Sequence, residues 1–89
     1  MKKPRQLERI VKGFANHRRI QILELLNRKP ELSVGDITEE LDVDFRTVSD
    51  HIRRMAVAGL ILKRNEGSFV RHVLSDSGRK VLKFLESFE

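Results

Sequence analysis

The sequence predicts a mainly α-helical fold with one small β-hairpin, in the order α-α-α-α-β-β-α. Two observations support this fold class. Apolar residues recur at helical spacing along most of the chain, and near residues 60–74 two short β-rich runs flank a glycine-containing tip. The 89 residues suffice for one hydrophobic core and are too few for two. We therefore expect residues 1–89 to form a single domain.

The first part of the chain predicts two helices. Residues 5–15 carry apolar side chains at Leu7, Ile10, Val11 and Phe14, which is the spacing of one helix face. Asn16 can accept a hydrogen bond from backbone N–H groups and so begin a second helix. Residues 20–26 are apolar around more than one side, which is typical of a buried central helix. Pro30 favours its end.

Residues 33–59 predict two further helices joined by a tight turn. Ser33, with Asp36 three residues later, approximates a capping box before a helix over residues 34–41. Asp44 can cap the next helix, over about residues 45–58, and Gly59 stands in the usual C-terminal position.

The helix over residues 45–58 separates into an apolar and a charged side. Val48, Ile52 and Met55 follow each other along the face that we expect to meet the core. The opposite face centres on Arg46, Asp50, Arg53 and Val57.

The C-terminal part predicts the hairpin and a last helix. Residues 60–64 and 69–74 read as strands, and residues 65–68 read as the tip, where Gly67 can adopt positive φ. Ser75 or Asp76 can cap a helix over about residues 76–88, in which Gly78 has a mild local cost.

Composition and charge narrow the classes of function. The net charge is +5 and is unevenly distributed: residues 1–30 carry +7, residues 31–44 carry −6, and residues 45–72 carry +4. Two separated basic blocks suit a polyanionic partner. The chain has no cysteine, and no apolar run approaches the roughly 20 residues that span a membrane. We expect a soluble, cytoplasmic, nucleoid-associated protein without a membrane partner.

Four segments together resemble the winged helix-turn-helix repressors of the ArsR-like (arsenical-resistance) type. Residues 16–26 match a core helix of the pattern Arg-x-x-Ile-Leu-x-x-Leu. Residues 47–52 follow Thr-Val-Ser-x-His-Leu with Ile52 at the last position, and residues 58–61 follow Ala-Gly-Leu-Val with Ile61 at the last position. Residues 67–74 match the closing strand of the wing. The resemblance implies a winged helix-turn-helix that binds double-stranded DNA, places the helix over residues 45–58 in the major groove and acts as a repressor. It also implies that the wing, the hairpin over residues 60–74, contacts the DNA backbone or the minor groove.

The same resemblance argues against a metal. Metal-sensing members often carry Cys-x-Cys where this chain has Ser33-Val34-Gly35, and others use acidic and His residues at the last helix, which here begins Ser75-Asp-Ser-Gly-Arg and contains no His. We expect no metal and no cofactor.

The family match assigns candidate contacts with DNA. The candidates for reading base edges are Arg46, Thr47, Ser49, Asp50 and His51. The candidates for contacting the backbone, including the wing, are Arg18, Arg19, Arg53, Arg54, Lys63, Arg64, Arg71 and His72. Two alternatives stay open: Asp50 pairs with Arg46 or Arg54 instead of a base, and His51 lies at the boundary of the core.

The terminal helices supply more apolar surface than a small domain hides, and members of the resembled family dimerise through them. The candidates for the dimer interface are Leu7, Ile10, Val11, Phe14, Val81, Phe84, Leu85 and Phe88. A two-fold dimer would present two recognition helices to half-sites about one DNA turn apart.

Other functions have less support. A protein-interaction adaptor that does not bind DNA is the alternative, because the acidic residues 31–44 would suit a basic partner. An enzyme is not expected, since the chain has no cysteine nucleophile, no glycine-rich phosphate loop and no carboxylate–histidine cluster at metal-ligand spacing.

Overall fold

A computed structural model describes all residues, 1–89, and confirms the predicted fold class. Five helices and one two-stranded antiparallel sheet follow each other in the predicted order. No helix is long and apolar enough to cross a bilayer. The elements are α1 (Pro4–Phe14), α2 (His17–Arg28), α3 (Val34–Leu41), α4 (Phe45–Val57), β1 (Ile61–Glu66), β2 (Phe69–Leu74) and α5 (Asp76–Glu86).

Side chains cap the N-termini of the predicted helices. The Asn16 Oδ1 accepts from the backbone N–H groups of Arg18 and Arg19 at 2.9 and 3.2 Å. Ser33 and Asp36 form a reciprocal capping box before α3. These contacts span two or three residues, so short-range sequence patterns were sufficient to predict them.

The core lies around α2, whose Ile22, Leu23 and Leu25 are completely buried. The predicted inner face of α4 is confirmed, because Val48, Ile52 and Met55 are at most 1% exposed. The other buried apolar residues are Phe14, Leu26, Ile37, Leu60, Ile61, Leu74, Val81 and Leu82.

The wing differs from the prediction at its tip. Glu66 pairs with Phe69 in the antiparallel register, so the turn contains only Gly67 and Ser68, and Asn65 and Glu66 belong to β1. Gly67 has φ +61°, as a tight hairpin turn requires. Leu32, which no pattern assigned, forms an antiparallel bridge to β2.

Gly78 is where α5 passes closest to the base of the wing. A Cβ on this residue would lie 2.2 Å from the Leu60 backbone O. Ser75 caps α5 by accepting from the Gly78 N–H, and its hydroxyl donates to the Gly59 O. The glycine is therefore required by packing, which outweighs its local cost in the helix.

Candidate nucleic-acid interface

The turn between α3 and α4 presents the N-terminus of α4 at the surface. Asp42 ends α3 with φ +53°, a left-handed conformation that Asp tolerates better than most residues. Asp44 then caps α4 twice, accepting from the Thr47 N–H at 2.9 Å and from the Thr47 hydroxyl at 2.7 Å. Because the Thr47 hydroxyl proton is used in this cap, only its lone pairs remain to accept a bond from a base.

Arg46 is the cation in α4 without an intramolecular partner. Its side chain is exposed and makes neither an ion pair nor a hydrogen bond with the rest of the chain. Phe45 beside it is 59% exposed, and Ser49 is half-buried one turn further along. A guanidinium at this position keeps its donors available for an acceptor outside the protein.

Asp50 is paired within its own helix. It accepts from Arg53 Nη2 at 2.7 Å and from Arg54 Nε at 3.1 Å. The hydrogen bond from Arg53, and to a smaller extent the one from Arg54, lowers the pKa of the Asp50 carboxyl, so it is ionised at neutral pH. The pairing alternative therefore holds in the structure, with Arg53 and Arg54 and not with Arg46.

His51 lies at the boundary of the core and bonds to α2. Arg19 Nε donates to His51 Nδ1 at 3.0 Å, and Arg19 Nη1 donates to the Lys12 O at 2.6 Å. Burial, followed by the positive charge of Arg19, lowers the pKa of His51. A neutral imidazole is required here because its Nδ1 accepts the bond. Arg19 thus joins α1, α2 and α4, while Arg18 donates to Gln21 on its own helix.

The wing contains one unpaired cation and two paired ones. Lys63 is exposed and has no ionic partner. Arg64 pairs with Glu31 and with Glu66, the latter at 2.9 Å. Arg71 is half-buried, donates to the Glu31 O at 3.2 Å and lies 3.6 Å from the Glu66 carboxylate.

The expectation that His72 contacts the DNA backbone was wrong. Its side chain is 1% exposed, and its Nδ1 lies 2.8 Å from the Leu32 O. Burial lowers its pKa, so the ring is neutral at physiological pH. Alternation along β2 could have predicted this, because His72 shares a strand face with Leu74, a core residue.

The dimer candidates divide into buried and exposed residues. Phe14 and Val81 are 9% and 8% exposed in the single chain and belong to its own core. Val11, Phe84 and Phe88 are 49%, 55% and 74% exposed. The half-buried candidates are Leu7, Ile10 and Leu85. An exposed apolar surface therefore remains at the terminal helices, and it includes fewer residues than the eight candidates.

Glu31 and Phe45 are the surface residues that the sequence reasoning missed. Glu31 holds both wing arginines across 33 and 40 positions of sequence, and no local pattern signals such a contact. The helical period does not signal Phe45 either, because at about 100° per residue it lies about 20° from Ile52 and would be expected to face the core, whereas it is 59% exposed. No group of three His, Asp or Glu side chains could hold a metal ion.

Comparisons with known proteins agree with the resemblance. The family model of "Bacterial regulatory protein, arsR family" matches residues 16–63. The HTH-type transcriptional regulator MJ1325 of Methanocaldococcus jannaschii is 28% identical over 97% of this chain and 98% of its own length. The transcriptional activator HlyU of Vibrio cholerae is 34% identical over 82% of this chain and 67% of its own length.

Solved structures show the same fold. The HlyU structure has a TM-score of 0.84 at 30% identity, covering 99% of this chain and 97% of that one. The homodimeric winged helix-turn-helix DNA-binding domain of Mb0332 from Mycobacterium bovis has a TM-score of 0.84 at 26% identity, covering 93% and 77%. MJ1325 and HlyU are named as transcriptional regulators, and Mb0332 is described as a possible ArsR-family regulator. This family and fold are those of DNA-binding regulators, which are not enzymes, and the adaptor alternative is not favoured. The chain belongs to the arsR family of bacterial regulatory proteins and is a DNA-binding transcriptional regulator with a winged helix-turn-helix.

Proposed function

We propose that the chain is a homodimeric repressor that reads a two-fold DNA site with α4 in the major groove. The observation that carries this proposal is Arg46, an exposed and unpaired guanidinium at the N-terminal end of the second helix of the motif. That end of the helix approaches base edges in helix-turn-helix complexes. Arg is also the side chain best suited to a bidentate bond with guanine O6 and N7.

The neighbouring side chains have different roles in this proposal. Asp50 accepts from a cytosine amine and repels phosphates, so it weakens binding to unrelated sequences. Thr47 and Ser49 accept hydrogen bonds near the groove edge. His51 is a less direct reader, because its Nδ1 is already bonded to Arg19.

The backbone contacts depend on which cations are free to turn outward. Lys63 meets a phosphate as it stands, because no carboxylate holds it. The paired arginines can contact a phosphate only by sharing or exchanging their carboxylate partners; these are Arg53, Arg54, Arg64 and Arg71. Arg18 must give up its hydrogen bond to Gln21 to make such a contact. Such exposed pairs are weak and exchange readily with a polyanion.

The dimer proposal rests on the exposed apolar surface of the terminal helices. Phe84 and Phe88 stack edge to face, with ring centroids 5.1 Å apart, and both are more than half exposed. Val11 on α1 is also exposed. Burying such a surface against a second copy removes apolar area from water and pairs two α4 helices for a two-fold site.

Selection of sites from random duplex DNA, followed by binding measurements on variants, tests the proposal. A two-fold consensus with half-sites about one turn apart is expected. Arg46→Ala should lower the discrimination between the selected and scrambled duplexes by about 1–3 kcal/mol, which is roughly 5- to 150-fold. Lys63→Ala should weaken both duplexes nearly equally.

Two outcomes would contradict this assignment. Undetectable or salt-independent binding of the wild-type protein to every duplex would refute DNA reading. Equal losses for Arg46→Ala and for Lys80→Ala, an exposed cation on α5, would show that Arg46 acts only through its charge.

Repression is supported by a simple steric argument, since a bound dimer that covers two half-sites blocks a promoter without contacting any other protein. One relative, HlyU of Vibrio cholerae, is named as an activator. Transcription from a template carrying the selected site should fall as the protein is added. A rise in transcript would favour activation.

A further inference from the structure

A small basic cleft lies between α1 and α4, beside the proposed reading face. We call it the α1–α4 cleft. It has a volume of about 190 Å³ and is lined by Arg9, Lys12, Gly13, Arg19, Arg54 and Ala58. Every charged side chain in its lining is a cation.

The floor of the cleft is formed by a close helix crossing. A Cβ on Gly13 would lie 2.4 Å from the Ala58 Cβ, so α1 passes too close to the C-terminal end of α4 for a side chain at residue 13. The two small residues leave the longer basic side chains standing around the opening. Arg19 is held in place by its bonds to the Lys12 O and to His51, so this wall of the cleft is fixed before any ligand arrives.

The charges in the cleft are only partly balanced. Lys12 pairs with Glu8 at 3.0 Å, and Arg54 pairs with Asp50 at 3.1 Å. Arg9 and Arg19 have no carboxylate partner. Gathering like charges raises their mutual repulsion, and a bound anion relieves it. An anion here also finds several N–H donors, since guanidinium groups bind phosphate oxygens in a fork geometry.

The position of the cleft on α4 indicates which anion fits. From Arg46 to Arg54 the helix rises about 12 Å, at about 1.5 Å per residue, which is about the width of the major groove. When the N-terminal end of α4 lies in the groove, its C-terminal half therefore reaches the phosphates that border the groove.

The cleft also stays open in the proposed dimer. Leu7 lies on the apolar side of α1. At about 100° per residue, Arg9 and Lys12 are rotated about 160° and 140° away from Leu7 around the helix axis, so both lie on the opposite side. Pairing α1 through its apolar side thus leaves both cations facing outward.

We propose that the α1–α4 cleft binds a phosphodiester of the DNA backbone, with Arg9 and Lys12 of α1 as contacts additional to those of the motif and the wing. This inference rests on the proposed DNA reading by α4. It assigns to the first helix a role in anchoring DNA.

The salt dependence of binding to the selected duplex tests this inference. When one phosphate is no longer neutralised, the slope of log affinity against log salt falls in magnitude by about 0.9. Between 1 M and 0.1 M salt, the affinity then rises about eightfold less than in the wild-type protein. Arg9→Gln should therefore reduce the slope by about 0.9 for each half-site, or about 1.8 for a dimer on two half-sites. Selected and scrambled duplexes should lose affinity equally.

Arg5→Gln is the matched control. Arg5 is exposed on α1, lies one turn before Arg9 and is absent from the cleft lining. Its substitution therefore removes the same charge outside the cleft. A much smaller slope change for Arg5→Gln is expected. Equal changes for the two variants would overturn the cleft in favour of a diffuse basic face, and an unchanged slope for Arg9→Gln would overturn it outright.

A second measurement distinguishes DNA from a free anion. The Arg9 side-chain N–H signal in the NMR spectrum should shift when the selected duplex is added. If inorganic phosphate shifts this signal and the duplex does not, the cleft is a small-anion site and the proposal is wrong. Failure of the function itself looks different, because the wild-type protein would then bind no duplex at all.

Discussion

Asp50→Asn should make the protein bind DNA more tightly and less selectively. The substitution keeps the shape of the side chain and removes the charge that holds Arg53 Nη2 at 2.7 Å and Arg54 Nε at 3.1 Å. The wild-type carboxylate, with its pKa lowered by these two partners, is ionised at neutral pH and occupies donors of both guanidinium groups. The variant releases those donors for phosphates.

The size of the effect follows from counterion release. Each phosphate newly neutralised steepens the slope of log affinity against log salt by about 0.9, or about eightfold in affinity at 0.1 M relative to 1 M salt. With two guanidinium groups released, scrambled duplexes should gain between about eightfold and 60-fold for each chain that binds. At the base level, an amide favours adenine where a carboxylate favours cytosine, so the selected site should also change.

Fluorescence anisotropy with selected and scrambled duplexes over a salt series measures both effects. Asp76→Asn is the matched control, since Asp76 pairs with Arg79 on α5 in the same i,i+3 arrangement and makes the same charge change away from α4. If Asp50→Asn and Asp76→Asn change the salt slope equally, only net charge matters. If Asp50→Asn leaves the slope unchanged, Asp50 does not restrain the arginines, and the reasoning is refuted.

Three further predictions concern stability, pH and assembly. Gly78→Ala should destabilise the fold by about 1–3 kcal/mol in urea unfolding, because its Cβ would lie 2.2 Å from the Leu60 O. Gly35→Ala is the control, because a Cβ there has room. Equal urea midpoints for the two variants would contradict this prediction. Because the pKa of His72 is lowered in the folded chain, the unfolded chain takes up the proton at a higher pH than the folded chain does. The free energy of unfolding should therefore fall as the pH drops below about 6.5. A constant urea midpoint from pH 7.5 to about 5.5 would refute this prediction. Phe88→Ser, at a 74% exposed position, should weaken the dimer in sedimentation experiments without lowering the stability of each chain, and an unchanged dimer fraction would move the interface elsewhere.

Much of the fold could be predicted because the forces that begin and orient each helix act locally. The caps at Asn16, Ser33 and Asp44 connect residues two or three positions apart. The side of α4 that faces the core follows from the helical period. The end of the hairpin was harder, because Glu66 was assigned to the tip although its pairing with Phe69 extends β1 by two residues.

The candidate site was predicted less completely, because its chemistry depends on which charges meet. The sequence offers seven cations and one histidine as candidates for the DNA backbone and gives no reason to rank them. The structure separates Lys63, which is free, from Arg64, which is held by Glu31 and Glu66. It also removes His72, which is buried against Leu32.

The sequence by itself determined the order of the elements, the caps at Asn16, Ser33 and Asp44 and the face that α4 turns to the core, because these depend on neighbours within one or two turns. Only the tertiary structure decided which polar groups remain available. Arg19 meets His51 across 32 positions and Arg64 meets Glu31 across 33, and contacts at that separation exist only once the helices have packed. The basic cleft between α1 and α4 has the same origin, since its cations come from three helices that the core brings together.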